Sequence, residues 1–200
     1  MDAEGTRVRE TRENAGPEEA RRQEILRAAF HVAAEVGLGG LTVRATASQA
    51  GVSHALVLFY FGTKARLLHD LLEWLIENTA VLQVSEDISM FPDALDRLHA
   101  LLQQEMVRVA REPRHLRLFF EYWALGARHP AIRTRIGAEL ERYREAFRAS
   151  LEEWLAAEPA TFAGVTPEGL AALAVSCIQG CAVQAMSDPE HFDMDEYLAA

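Results

Sequence analysis

Gly51-Val52-Ser53 stands between two short stretches that read as helices, and no other feature of the 200 residues constrains the fold so tightly. Thr42 precedes the first stretch, Val43 to Ala50. Its hydroxyl can accept a hydrogen bond from an unpaired N–H one turn on, so it predicts a capped helix start. Ala45, Ala47 and Ala50 keep that helix slim. Gly51 fits the position past a helix end where the backbone turns left-handed, a conformation only glycine takes freely. Ser53 caps a second helix, His54 to about Tyr60; Gly62 stops it, and Thr63 can cap the next. Helix, glycine turn, capped helix is the helix-turn-helix pattern, although an αα-corner in any helical protein has the same spacing.

Charge points the same way. The net charge of −10 argues against nucleic acid as a partner, but its distribution does not. Residues 1–64 hold eight basic and eight acidic side chains, whereas residues 65–200 hold twelve and twenty-two. Between Val36 and Lys64 there is no acidic residue, only Arg44 and Lys64. An acidic body would be repelled by DNA and leave the neutral-to-basic end to approach it. Such binding should be salt-sensitive.

The remaining chain reads as helices throughout. Residues 1–16 are polar and mixed in charge, and carry Arg7, Arg9 and Arg12; they read as a disordered arm. Pro17, Glu18 and Glu19 open a helix running to about Glu35, with Ile25, Ala28, Ala29, Val32 and Val36 on one face. Gly37, Gly39 and Gly40 end it. From Thr63 to about Val84, Leu67, Leu68, Leu71, Leu72, Leu75 and Ile76 form a broad apolar face. Gln83 to Met90 reads as a loop. The next helix, Asp93 to about Arg111, turns Leu95, Leu98, Leu102, Met106 and Val109 inward. Glu112-Pro113 breaks it. An aromatic helix follows, with Leu116, Phe119, Phe120 and Trp123 on one face. His129-Pro130 precedes a long helix to about Glu158, with apolar positions from Ile132 to Leu155. Thr166-Pro167-Glu168 opens the last main helix, GLAALAVSCIQGCAVQAM, which has almost no charge. A helix apolar all round is expected to be buried on all sides, and in a chain this small the second partner is another copy. Cys177 and Cys181, one turn apart, read as small buried residues rather than a disulfide. No apolar run reads as long enough to cross a bilayer, and the N-terminus has no apolar stretch for a signal peptide. These readings predict a cytoplasmic, all-α protein of about nine helices.

The stretch from Thr42 to Lys64 resembles the DNA-binding domain of TetR-family transcriptional regulators. The family pattern is matched at Thr42, Ala47, Ala50, Gly51, Val52, Ser53, Tyr60, Phe61 and Lys64, with Leu67 and Leu68 following. It is departed from at Thr46, where isoleucine is usual, and at Leu58, where a phosphate-contacting tyrosine is common. The match covers about a quarter of the chain. The resemblance implies an N-terminal three-helix helix-turn-helix domain (17–64) and a larger helical ligand-binding and dimerisation domain (65–200), joined by the fourth helix, whose tilt ligand binding changes. It implies a homodimer, usually a repressor, on a palindromic double-stranded DNA operator, released by a small-molecule effector, often apolar.

By family position, His54, Leu56, Leu58 and Phe59 would face the major groove, Val57 and Phe61 the core. Arg44 and Lys64 would hold phosphates, with Thr42 and Ser53 adding hydroxyls at helix N-termini. This recognition surface is unusually apolar. His54 can donate to a guanine or a phosphate, whereas Leu56 can only touch a thymine methyl, so methyl contacts, DNA shape and half-site spacing would carry specificity. Alternatively, Leu58 and Phe59 pack within the domain. The effector would lie among Met106, Phe119, Phe120 and Trp123, with His99, Gln103 or Glu121 orienting it. The segment FFEYWALGARHPAIR also resembles the choline-responsive branch, and an aromatic box can hold a quaternary ammonium. The two-fold interface would bury Tyr143, Phe147, Ala171, Ala174, Ile178, Gly180 and Ala185 in a four-helix bundle.

Neither an enzyme nor a cofactor or metal protein is expected. No nucleophile with a paired base, glycine-rich phosphate loop or metal-ligand spacing occurs, and none of the seven histidines lies three or four residues from another. The competing reading is a helical small-molecule-binding or adaptor protein that has lost sequence-specific DNA binding. Retention of Arg44 and Lys64 favours DNA.

Overall fold

The computed structural model describes residues 16–78, 86–111, 113–157, 159 and 161–199. The arm expected over residues 1–16 therefore lies outside it, Gly16 apart. Helices account for the regular structure, and there is no strand among the described residues. The chain divides into two compact units, residues 1–77 and 78–200.

The first unit holds α1 (Pro17–Gly40), α2 (Val43–Ala50), α3 (His54–Phe61) and most of α4 (Lys64–Asn78). Pro17 starts α1 because its missing N–H is one that a helix start leaves unpaired anyway. Helical geometry fails at Gly37, where φ is 76° and ψ 167°, and residues 38–40 add one further turn. That break swings Leu38 and Leu41 into the core and leaves Val36, expected inside, 57% exposed. Of the other expected positions on α1, Ile25, Ala28 and Ala29 are buried, with Leu26, Phe30 and Ala33 beside them, and Val32 is half-buried. Leu67 and Leu71 of α4 are fully buried. The division drawn at residue 64 from the sequence thus stops short; the compact unit extends through α4 to Glu77.

A carboxylate fixes the packing of this unit. Asp70 on α4 is buried, and accepts from Arg22 Nη2 of α1 at 2.7 Å and pairs with Arg66 Nε at 2.8 Å. The Arg22 guanidinium lies 5.6 Å from the centre of the Phe61 ring, so the same cation touches the end of α3. Burial alone would push the Asp70 carboxyl up. Hydrogen bonds from Arg22, Arg66 and His69, with the charge of Arg22, outweigh that and hold it below the ordinary aspartate value.

The second unit holds α5 (Glu86–Ser89), α6 (Ala94–Arg111), α7 (Pro113–Gly126), α8 (Pro130–Ala157), α9 (Pro167–Ser187) and α10 (Met194–Ala199). The short α5 lies within the stretch read as a loop. Its core gathers Leu98, Leu101, Met106, Phe147, Leu151, Val175 and Ile178 from α6, α8 and α9. On α6 the inward stripe is Ala94, Leu98, Leu101 and Glu105, so Leu95, expected inside, is 49% exposed. The Val109 side chain lies outside the described residues. On α7 the fully inward residues are Leu118, Tyr122 and Gly126, while Leu116, Phe119, Phe120 and Trp123 are half-buried.

Two more buried carboxylates sit on inner faces here. Glu105 is 0% exposed and accepts from Arg108 Nε at 3.0 Å, Arg108 Nη2 at 2.8 Å and the Tyr143 hydroxyl. Burial beside that carboxylate pushes the Tyr143 phenol well up, so it stays a donor. Glu139 on α8 accepts from Arg135 at 3.2 Å and Arg142 at 3.1 Å.

The last main helix departs from expectation. By length and composition α9 does reach the dimensions of a membrane span. One face of it, Ala171, Val175, Ile178, Cys181 and Ala182, is buried in this unit's core, while Leu173 and Val183 stay 57% and 43% exposed. It is buried on one side, not on all sides. Cys177 and Cys181 are free thiols, and α10 lies against them: the Tyr197 hydroxyl donates to the Cys177 carbonyl at 3.0 Å.

Replacing Asp70 by Asn should lower stability by about 2 kcal/mol in urea unfolding, less than for a fully buried pair because Arg22 and Arg66 are 30% and 65% exposed. Because the folded-state carboxyl titrates below its unfolded value, the stabilisation is complete above about pH 4 and is lost as pH falls through the folded value. The gap between wild type and variant should therefore close on acidification.

Candidate nucleic-acid interface

The turn between α2 and α3 has the geometry its sequence predicts. Ala45 N–H donates to the Thr42 hydroxyl at 3.0 Å, capping α2. Gly51 adopts φ 65° and ψ 30°, and Val52 N–H reaches back to the Ala47 carbonyl at 3.0 Å. A side chain at Gly51 would be strained by that backbone alone. Leu56 N–H then donates to the Ser53 hydroxyl at 3.1 Å, capping α3. Gly62, at φ 67°, ends α3, and Arg66 N–H donates to the Thr63 hydroxyl at 3.1 Å to start α4. Thr46, the departure from the family's isoleucine, is fully buried, and its hydroxyl donates to the Thr42 carbonyl at 3.0 Å, so the polar atom is satisfied in place.

On α3, Val57 and Phe61 are buried, which leaves the opposite face to solvent. That face carries His54, exposed, with Leu58 at 37% and Phe59 at 75% exposure, so Leu58 and Phe59 do not pack away inside the domain. Leu56 is half-buried. Arg44 on α2 is exposed and makes no ion pair among the described residues. Lys64 Nζ donates to the Gly39 carbonyl at 3.1 Å and remains exposed, with donors to spare. Arg66, two residues on and held by Asp70, is a further exposed cation that the sequence reading passed over. Its signal was there, as the second cation of Lys64-Ala65-Arg66, but only the structure shows it fixed in place. Beside Phe59 and Tyr60 lies a cleft of about 440 Å³ that Gly16, Glu18, Glu19 and Arg22 also line.

The residues assigned to an effector do not all come together. Met106 is buried, Phe119, Phe120 and Trp123 are half-buried, and His99 and Gln103 are exposed. Phe120 and Trp123 meet edge to face at 5.5 Å. The Trp123 indole N–H is buried with no hydrogen-bond partner among the described residues. The dimer residues need more correction. Tyr143, Phe147, Ala171 and Ile178 are buried in the chain's own core, out of reach of a partner, because α8 and α9 turn that face toward α6. Gly180 faces Tyr197 of α10, and Ala174 and Ala185 are half-buried. The exposed apolar side of α9 is carried by Ala172, Leu173 and Val183.

With a capped helix pair exposing α3 on one compact unit and a larger helical unit behind it in sequence, the comparisons with known proteins decide the family. Residues 25–71 match "Bacterial regulatory proteins, tetR family", and residues 94–200 match "BetI-type transcriptional repressor, C-terminal". The chain belongs to the TetR family of transcriptional regulators. Its relatives include the nucleoid occlusion factor SlmA of Vibrio vulnificus, 31% identical over 134 residues, or 66% of this chain and 67% of that protein. A transcriptional regulator from Rhodococcus sp. Rha1 superimposes with a TM-score of 0.69 at 26% identity, over 88% of each chain. A regulator from Saccharomonospora viridis solved in complex with choline shares the fold, with a TM-score of 0.72 at 20% identity over 91% of this chain and 93% of that one.

The family places the helix-turn-helix of this TetR-family chain at DNA, and the arrangement on α2 to α4 matches the physics of that task. Donors and cations precede and follow α3 in sequence, and the stretch between Val36 and Lys64 carries no carboxylate. Each cation that holds a phosphate would contribute one released counterion. Lys64→Ala and Arg44→Ala should each weaken binding across all sequences and reduce the salt slope of log K by about one, as read from gel-shift titrations at several salt concentrations.

Proposed function

We propose that this TetR-family chain is a ligand-responsive repressor. It binds a palindromic operator as a homodimer and is released by a small, largely apolar molecule. The observation that carries the reading is the exposed α3, capped by Ser53 at its start and Gly62 at its end, with Arg44, Lys64 and Arg66 on the same acid-free stretch and the first turn that follows it. Thr42, Arg44, Ser53, His54, Leu56, Leu58, Phe59 and Lys64 form the DNA-binding surface in this reading. Phosphate contacts set the register and the α3 face meets base edges.

The effector is assigned to the second unit, among Met106, Phe119, Phe120 and Trp123. His99 and Gln103, being exposed, would touch it only from the rim. Support comes from the likeness of residues 94–200 to a BetI-type repressor domain, and from the free indole N–H of Trp123 beside the Phe120 ring. The choline complex of the S. viridis regulator makes choline the first probe to use. Effector binding would act on DNA affinity through α4, which continues from the first unit toward the second in sequence.

The homodimer rests on the uncovered side of α9. Leu173 and Val183 are large apolar groups left in water on a helix that carries almost no charge, and a second copy of the same face would cover them. Light scattering of the pure protein should give twice the 22.3 kDa chain mass, and a Leu173→Asp, Val183→Asp variant should give the chain mass. A wild type that scatters as a single species at 22.3 kDa would rule the dimer out.

A second reading has one observation behind it. Among the exposed side chains of α3, His54 is the hydrogen-bonding one, so the chain is an adaptor in which base readout has decayed. Gel-shift titration on DNA upstream of its own and neighbouring genes, at two salt concentrations, separates the two. A discrete complex that choline or another small molecule releases supports the repressor. Absence of any complex, including after selection from random DNA, supports the adaptor.

A further inference from the structure

Phe59 is three-quarters exposed on a helix whose next aromatic, Tyr60, is half-buried and whose last, Phe61, is buried. Its ring stands edge to face with Tyr60, 5.4 Å between centres and 87° between planes, so it is braced rather than loose. Leu58 beside it is 37% exposed. Large apolar groups left together in water mark an interaction surface. The helix that carries it starts at the Ser53 cap, as α2 before it starts at the Thr42 cap, and an anionic partner is favoured at such helix starts. On the cleft side Phe59 is flanked by Glu18 and Glu19. Carboxylates there disfavour a phosphate next to the ring and leave base edges as what the ring can meet.

A phenyl ring cannot hydrogen-bond a base edge. Of the groups in the major groove, the thymine C5-methyl is the one that an apolar side chain can recognise. Cytosine offers no methyl and presents an amino group that the ring would strip of water without replacing its hydrogen bond. Leu56, the sequence-based choice for this contact, is half-buried and presents less surface. We propose that Phe59 is a specificity-determining residue that covers a thymine methyl in each operator half-site. The inference rests on the operator-binding reading above.

The experiment starts from duplexes that the protein selects out of a random pool. Each thymine of a selected duplex is then replaced singly by deoxyuridine, which removes the methyl and nothing else. Wild type should lose about fourfold in affinity for each methyl it covers, the equivalent of one buried carbon, at one position per half-site. Phe59→Ala should bind the thymine duplex about that much more weakly and should not distinguish thymine from uracil there. Leu56→Ala, run in parallel, should still distinguish them. Thermal unfolding of Phe59→Ala should match wild type, because the ring is exposed. Equal affinity of wild type for thymine and uracil duplexes overturns the proposal while leaving operator binding intact. So does discrimination that survives in Phe59→Ala or disappears in Leu56→Ala. Failure to select any DNA overturns the operator reading and this proposal together.

Discussion

A carboxylate can stay ionised in a protein interior only if cations or donors reach it, and three helices of this chain depend on that condition. Asp70, Glu105 and Glu139 each stand on an inward face, and arginines come to them. The effect differs by partner. Arg108, Arg135 and Arg142 are within a turn of their carboxylates, so those pairs neutralise locally. Arg22 comes from 48 residues away and continues onto the Phe61 ring. One charge therefore sets how α1, α3 and α4 lie together, and with them the presentation of the recognition helix. A hydrophobic contact tolerates sliding; a charge-assisted hydrogen bond from Arg22 to Asp70 is more directional, and the same guanidinium lies over the Phe61 ring.

Legibility from sequence followed how local each interaction is. Thr42, Gly51, Ser53 and Thr63 act within four residues, so their roles could be read directly and the turn has the predicted geometry. Thr46 departs from the family's usual isoleucine, and its hydroxyl finds a backbone carbonyl one turn back. Periodicity misplaced Val36 and Leu95. A helix-wide stripe does not show where Gly37 interrupts the helix, nor that a glutamate occupies the stripe at position 105. The carboxylates of α6 and α8 were illegible for the same reason: on a helical wheel they count as solvent-facing. For α9 the uncharged sequence indicates how much apolar surface exists, but not whether α8 or a second chain covers it. That is why Tyr143, Phe147, Ala171 and Ile178 were assigned to an interface when they fill the chain's own core.

The recognition helix trades hydrogen-bonding variety for apolar surface. In the proposed operator complex its sequence, HALVLFYF, would leave phosphate binding to the neighbouring helix starts and, His54 apart, give the groove-facing side to carbon. On that reading affinity and sequence preference would be carried by different residues. Cations and capped N-termini respond to ionic strength, whereas contacts to methyl groups do not.

Lys64 shows what the arrangement means for the energetics of association. A free lysine on a surface samples many rotamers and loses up to about 2 kcal/mol of entropy when a phosphate immobilises it. Here its ammonium is already tied to the Gly39 carbonyl, at the point where α1 ends. Much of that ordering is complete before any DNA arrives. If Lys64 holds a phosphate as proposed, that grip would be stiffer from the outset, and a misplaced phosphate would be less readily absorbed by a flexing side chain. In the proposed operator complex the same tether would favour binding at the right phosphate spacing and penalise it at the wrong one, so a residue that reads no base would still help to reject sites.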